Sequence, residues 1–212
     1  MSPSRIAGFW APAAAAFAAM LSVPGSSAFS GPRVETSDID ITALRSGDLV
    51  FRAGRGWEAD AVRLASFGTF SHVGMVDIAA DGTVYIVHAA PPEHGGHGRV
   101  ERVPLETFND ARYASDIVFY RRADLPEATA LEAAARARIE ADRGTPFDDQ
   151  FDAGDQSKLY CTELIMLAFA DSGAALPFAF APRIDGSILG NIVYPADFIR
   201  SGEFVRVDAR RS

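Results

Sequence analysis

Ser71-His72-Val73-Gly74-Met75-Val76-Asp77-Ile78-Ala79-Ala80-Asp81-Gly82-Thr83-Val84-Tyr85-Ile86-Val87-His88 is two apolar runs joined by a turn signal. His72 to Ile78 reads as one strand and Val84 to His88 as its antiparallel return, with Asp81-Gly82 as a strong hairpin turn between them. If Asp81 and Gly82 alone make the turn, Ala80 faces Thr83 and Met75 falls opposite His88. Direct pairing of His72 with His88 needs a longer loop or a bulge. Gly74, inside the first strand, leaves room for close approach of another backbone or a ligand.

Outward from this hairpin the chain is mixed. On its N-terminal side, Leu44-Arg45-Ser46-Gly47-Asp48 turns into the strand Leu49-Val50-Phe51, and Glu58 to Phe67 has helical spacing. On its C-terminal side, Pro91 to Gly98 is a Gly/Pro/His loop, and residues 99–103 and 117–120 read as strands. Ala128 to Arg143 is an Ala-rich helix closed by Gly144 and Pro146. A second helix runs from Ser157 to Asp171 and closes at Gly173, and Phe204 to Val207 reads as a last strand. The pattern predicts an α+β domain, a small antiparallel sheet with helices grouped on it.

Composition sets the outer bounds. The 212 residues are 48% hydrophobic and 23% charged, the balance of one globular domain with a short appendage. The formal net charge of −8 repels phosphate backbones, so no nucleic-acid partner is expected. Residues 1–28 differ from the rest. Arg5 is the only charge before Arg33, Ile6 to Val23 is apolar, and Ser26-Ser27-Ala28 offers small residues for cleavage after Ala28. That is the pattern of a secretory signal peptide. The rival is a retained membrane anchor, since Ile6 to Val23 approaches the ~20 residues needed to span a bilayer. The expected layout is a signal peptide over 1–28, an extended lead-in over 29–43 and the domain over 44–212. The expected destination is the periplasm or the exterior, with membrane contact only if the N-terminal segment is retained.

The chain has one cysteine, Cys161. In an exported chain a lone thiol has no intramolecular disulfide partner and is open to oxidation. It is either a small buried apolar residue or a nucleophile. Cys161, Leu164, Ile165 and Ala168 fall at i, i+3, i+4 and i+7, which suits an apolar stripe. A cap at Ser157 or Asp155 places Cys161 near the helix start. Unpaired backbone N–H groups there favour a thiolate, and the same groups serve an oxyanion forming beside the sulfur. Periodicity does not separate the two readings. A thiol nucleophile needs a base, and each of His72 and His88 is open to the alternative of a satisfied core histidine.

Taken in order, Gly47-Asp48-Leu49-Val50, Ser71-His72-Val73-Gly74-Met75-Val76, Val84-Tyr85-Ile86-Val87-His88-Ala89, Pro146-Phe147-Asp148 and Tyr160-Cys161-Thr162-Glu163-Leu164 resemble a circularly permuted papain-like hydrolase. The nearest group is the YaeF/YiiX-like permuted papain-like amidases of the NlpC superfamily, relatives of lecithin:retinol acyltransferase. The likeness spans about residues 44–207. It implies Cys161 as nucleophile and His72 as its base, with the base ahead of the nucleophile because the fold is permuted. The third, orienting position falls on His88, where many relatives carry a carboxylate or an amide. The implied activity is an exported cysteine hydrolase that cleaves an amide through a thioester, with cell-wall peptides of the peptidoglycan as substrates. A lipid or ester acyl hydrolase or acyltransferase is the close variant, and an inactive envelope binding module is the alternative.

Other constellations are weaker. His94 and His97 flank two glycines, and with Cys161 or Glu93 they form at best a zinc site. An incidental Gly-rich loop is the simpler reading, so no metal and no cofactor are expected. Asp148, Asp149, Asp152 and Asp155 lack the spacing of a calcium loop and read as a solvated loop. Glu163 should point away from Cys161 and serve the helix end, and Asp48 should serve the turn before its strand.

Overall fold

The structure, a computed structural model, describes residues 34–91, 97–152, 154–177 and 192–209. The expected signal segment and most of the His94 loop lie outside the described residues. Among those residues, six strands form one sheet: β1 (Leu49–Gly54), β2 (His72–Ile78), β3 (Val84–Ala90), β4 (Arg99–Pro104), β5 (Ala114–Arg122) and β6 (Phe204–Val207). Their order is β4-β3-β2-β1-β5-β6, and each neighbouring pair is antiparallel. The α+β expectation therefore holds.

The sheet is covered on both faces, which explains why its central strands are continuous apolar runs rather than alternating ones. Leu49, Phe51, Val73, Met75 and Val87 face one way. They pack on helix α3 (Glu127–Arg143) through Ala133, Ala134 and Ala137, and on helix α4 (Cys161–Asp171) through Leu164, Ile165 and Ala168. Val50, Val76, Ile86, Ile117 and Phe119 face the other way. They pack on Val34, Ile39 and the short helix α2 (Leu105–Phe108). Two further helices, α1 (Trp57–Ser66) and α5 (Pro195–Arg200), complete the described structure. Asp77, 1% exposed, pins the α3 face by pairing with Arg102 at 2.6 Å and Arg138 at 2.9 Å. Residues 34–43 are less extended than expected. They form two single 3-10 turns, Thr36–Asp38 and Ile41–Ala43, and bury Val34 and Ile39.

The register of the β2–β3 hairpin differs from the two-residue-turn expectation. It runs from Ile78↔Val84 to Met75↔Val87. The amide of Ala79 donates to Thr83 O and that of Gly82 to Ala79 O, each at 2.9 Å, so the loop is Ala80-Asp81-Gly82. Gly82 has φ 85°, the left-handed residue that a three-residue hairpin loop requires. One residue of slip moves a whole strand face. The expected register would have set His88 with Met75 on the helix face. The observed one sets it on the face shared by His72 and Gly74.

Helix α4 also starts later than expected, at Cys161 rather than Ser157. The preceding residues are committed elsewhere. The Asp155 carboxylate takes both the N–H and the hydroxyl of Ser157, at 3.1 and 2.6 Å. Leu159 makes a parallel bridge to Phe147, which donates its N–H to Gly98 beside β4. Asp148, expected to be solvated, is 2% exposed, and its carboxylate accepts the amides of Gln150 and Asp152. This folded-back segment delivers Cys161 to the sheet as the first residue of α4.

Candidate active site

The β2–β3 ladder ends at Met75↔Val87. Strand alternation aims the Val73 N–H toward β3, one row beyond that last pair. The Cys161 thiol lies close enough to this N–H, and to those of Thr162 and of Cys161 itself, for each to favour the thiolate form. The sulfur thus lies at the sheet end beside the residue that follows His72, against the start of α4. Two contacts hold this helix start. The Tyr160 N–H donates to Glu163 Oε2 at 3.0 Å, and the Thr162 hydroxyl donates to Val193 O at 2.6 Å. Glu163 therefore serves the helix end, as expected. Burial, with Asp148, Asp152 and Asp155 adding, pushes its carboxyl up to about 7.

His72 and His88 meet. His72 Nε2 lies 3.0 Å from His88 Nδ1, with the two rings edge to face. They are 7% and 4% exposed, enclosed by Phe108 of α2, whose ring lies 5.8 Å from His72 and 5.0 Å from His88. The contact is diagonal across the hairpin and crosses Gly74, whose missing side chain leaves the space. Since Nε2 of His72 faces His88, its Nδ1 is the ring nitrogen left for other work. Cys161, His72 and His88 thus gather at one end of the sheet, while His97 is exposed in the described chain and His94 lies outside the described residues.

The electrostatics favour neutral groups. Burial, then the charge of Arg52, then His88, holds His72 well below the ordinary imidazole range. Burial and Arg52 bring His88 down to about 3. Burial pushes the Cys161 thiol up to about 11, only partly offset by the three N–H groups and Arg52. The helix start alone suggested a ready thiolate, but loss of solvent outweighs it. These directions favour a protonated thiol and neutral imidazoles before substrate binds.

Three site neighbours are not evident from the sequence. Arg52 is opposite His72 in the β1–β2 register, donates to Phe108 O at 3.2 Å and lies over the Phe108 ring. Phe108 sits on a four-residue helix with no periodic signal. Glu101 is opposite His88 across β3–β4, with Oε1 3.4 Å from His88 Nε2. Strand alternation could have placed Glu101 on this face only with the β4 register in hand.

Comparison with known proteins gives a consistent picture. Residues 43–184 match a family described as permuted papain-like amidase enzyme, YaeF/YiiX, C92 family. Among curated proteins nothing matches. Among solved structures, the crystal structure of metalloprotein YiiX from Escherichia coli O157:H7 shares the fold at a TM-score of 0.61 and 17% identity, covering 80% of this chain and 99% of that one. Its description as a metalloprotein belongs to that protein. Among the described residues of this chain, no group of three or more His, Cys, Asp or Glu side chains is placed to hold a metal ion.

Proposed function

Because the chain belongs to the permuted papain-like amidases of the YaeF/YiiX, C92 family, we propose that it cleaves an amide bond by attack of Cys161, with His72 as general base and His88 as the residue that orients it. The observation that carries this reading is the 3.0 Å contact between His72 Nε2 and His88 Nδ1, both side chains buried, with His72 next in sequence to Val73, whose N–H favours the thiolate of Cys161. His72 Nδ1 takes the thiol proton as Sγ attacks the carbonyl carbon. The C–S bond forms and the carbonyl electrons move to oxygen, where the N–H groups at the start of α4 receive the charge. Collapse breaks the C–N bond, and the His72 imidazolium passes its proton to the leaving amine. Water, deprotonated by His72, then hydrolyses the thioester.

The substrate class follows from location. The signal pattern over residues 1–28 supports an exported enzyme, periplasmic or secreted, and a peptide of the cell wall is the amide substrate met there. The lipid or ester acyl variant has one observation in its favour. Trp57, Leu64 and Phe67, on and just after α1, are 68%, 66% and 87% exposed, an apolar patch suited to a lipid surface.

The test is turnover by the full chain against peptide amides and acyl esters, with intact-mass detection of an acyl-enzyme. Cys161→Ser and His72→Ala should each abolish turnover while the circular dichroism spectrum stays that of the wild type. Hydrolysis by Cys161→Ser at the wild-type rate would falsify the nucleophile assignment. Absence of any acyl adduct on the wild type across both substrate classes would favour a binding module.

A further inference from the structure

We propose that Glu101 is a positioning residue for the candidate base: it selects which way the proton in the His72–His88 contact points. The inference rests on the reading of His72 as the base, and its argument is geometric. Two neutral imidazoles that share one contact have two arrangements. In the first, His72 Nε2–H donates to His88 Nδ1, and His88 carries its own proton on Nε2. In the second, His88 Nδ1–H donates to His72 Nε2, His88 Nε2 presents a lone pair, and His72 carries its proton on Nδ1. Only the first leaves His72 Nδ1 with a free lone pair able to accept the thiol proton.

Glu101 Oε1 stands 3.4 Å from His88 Nε2. A carboxylate there attracts an N–H and repels a lone pair, so it selects the first arrangement. The pairing is built into the sheet, because His88 and Glu101 are directly opposite across β3–β4. The distance is longer than a closed hydrogen bond, as is common before substrate arrives. Once His72 has taken the thiol proton, the carboxylate also acts on the charge. The imidazolium donates to His88, His88 donates to Glu101, and the negative end of this line opposes the nearby Arg52 guanidinium.

A neutral imidazole accepts the base's N–H in only one tautomer, so a histidine in this position needs a further acceptor to hold that tautomer.

The experiment is nitrogen-15 NMR of the histidine rings in the full chain, paired with kinetics of Glu101→Ala and Glu101→Gln. In the wild type His88 should carry its proton on Nε2. Glu101→Ala should move the His88 proton toward Nδ1 and lower kcat by about 10-fold with KM nearly unchanged. This is less than the ~10⁴ that removal of a group directly on the base can cost, because Glu101 acts one ring further out. Glu101→Gln, whose carbonyl still accepts from Nε2–H, should retain the tautomer and most of the rate. A wild-type His88 protonated on Nδ1, or an unchanged tautomer in Glu101→Ala, overturns the proposal. The ring signals do not depend on turnover. A chain that proves inactive while showing the Nε2–H tautomer and its loss in Glu101→Ala would sink the hydrolase reading and leave the role of Glu101 standing.

Discussion

Gly74 touches His88: a Cβ on Gly74 would lie 3.2 Å from the Cβ of His88, and 2.5 Å from Cγ2 of Ile86. The second of these is closer than real side chains approach, so Gly74→Ala must displace Ile86 or splay the β2–β3 hairpin. Overpacking of this kind costs about 1–3 kcal/mol, readable as a shift of the urea midpoint. Turnover should fall by at least about 10-fold, because a small displacement of a base costs more in rate than in stability. A folded Gly74→Ala protein with wild-type turnover would show that the His72–His88 contact does not depend on this gap.

The resting thiol should be slow to alkylate at neutral pH. With burial pushing Cys161 up to about 11, the iodoacetamide rate at pH 7 should lie below that of free cysteine at the same pH, and it should climb throughout the alkaline range toward pH 11. The same raised value makes the sulfur's contribution to stability complete below the unfolded thiol range and lost as pH rises through about 11. A rate already at its plateau below pH 7, and abolished in His72→Ala, would instead establish a thiolate–imidazolium pair in the free enzyme.

Acid should destabilise the fold through the two histidines. Both have folded-state values below the unfolded imidazole range, and His88 lies at about 3. A depressed value means that the unfolded chain binds the proton more readily. For His88 the contribution to stability is therefore complete above about pH 6.5 and is lost as pH falls toward about 3, at roughly 1.4 kcal/mol per pH unit, and His72 acts in the same direction. Glu163, raised to about 7, works in the opposite sense: its contribution is complete below the unfolded carboxyl range and is lost as pH rises through about 7. Comparing wild type with His88→Asn isolates the histidine, since Glu163 is common to both. Between pH 6 and pH 4, the variant should lose stability less steeply, by about one proton's worth. Parallel slopes would mean that His88 is solvated and protonated in the folded state.

The class of fold was legible in the sequence because its signals are local. The α3 helix ends at a left-handed Gly144, and the apolar strands are bounded by turn residues. What was not legible depends on single-residue offsets. A loop of Ala80-Asp81-Gly82 and a loop of Asp81-Gly82 are nearly the same signal, yet they put His88 on opposite faces. The start of α4 depends on Asp155 and Leu159 finding partners at Ser157 and Phe147, which no helix pattern records. Cys161, His72 and His88 stand out by residue type and by resemblance. Arg52 and Glu101 do not, because a charged residue on a strand is ordinary until its cross-strand neighbour is known.

If His88 orients His72, its removal should act on the base and not on substrate binding. His88→Ala should then lower kcat by about 10–10³-fold while KM moves little, a loss between wild type and His72→Ala. The range lies below the ~10⁴ seen when a serine triad loses its orienting carboxylate, because a thiol parts with its proton more easily than a hydroxyl. His88→Asn and His88→Gln should recover part of the rate, since their carbonyl oxygens still accept the Nε2–H of His72. The Ala variant also opens a space against Phe108 in a site where His88 is only 4% exposed, so its stability should drop as well. The kinetic comparison is therefore made at a temperature where circular dichroism shows both proteins fully folded. Unchanged kcat in folded His88→Ala would remove this residue from the site and leave the base to be oriented by a water or a backbone carbonyl.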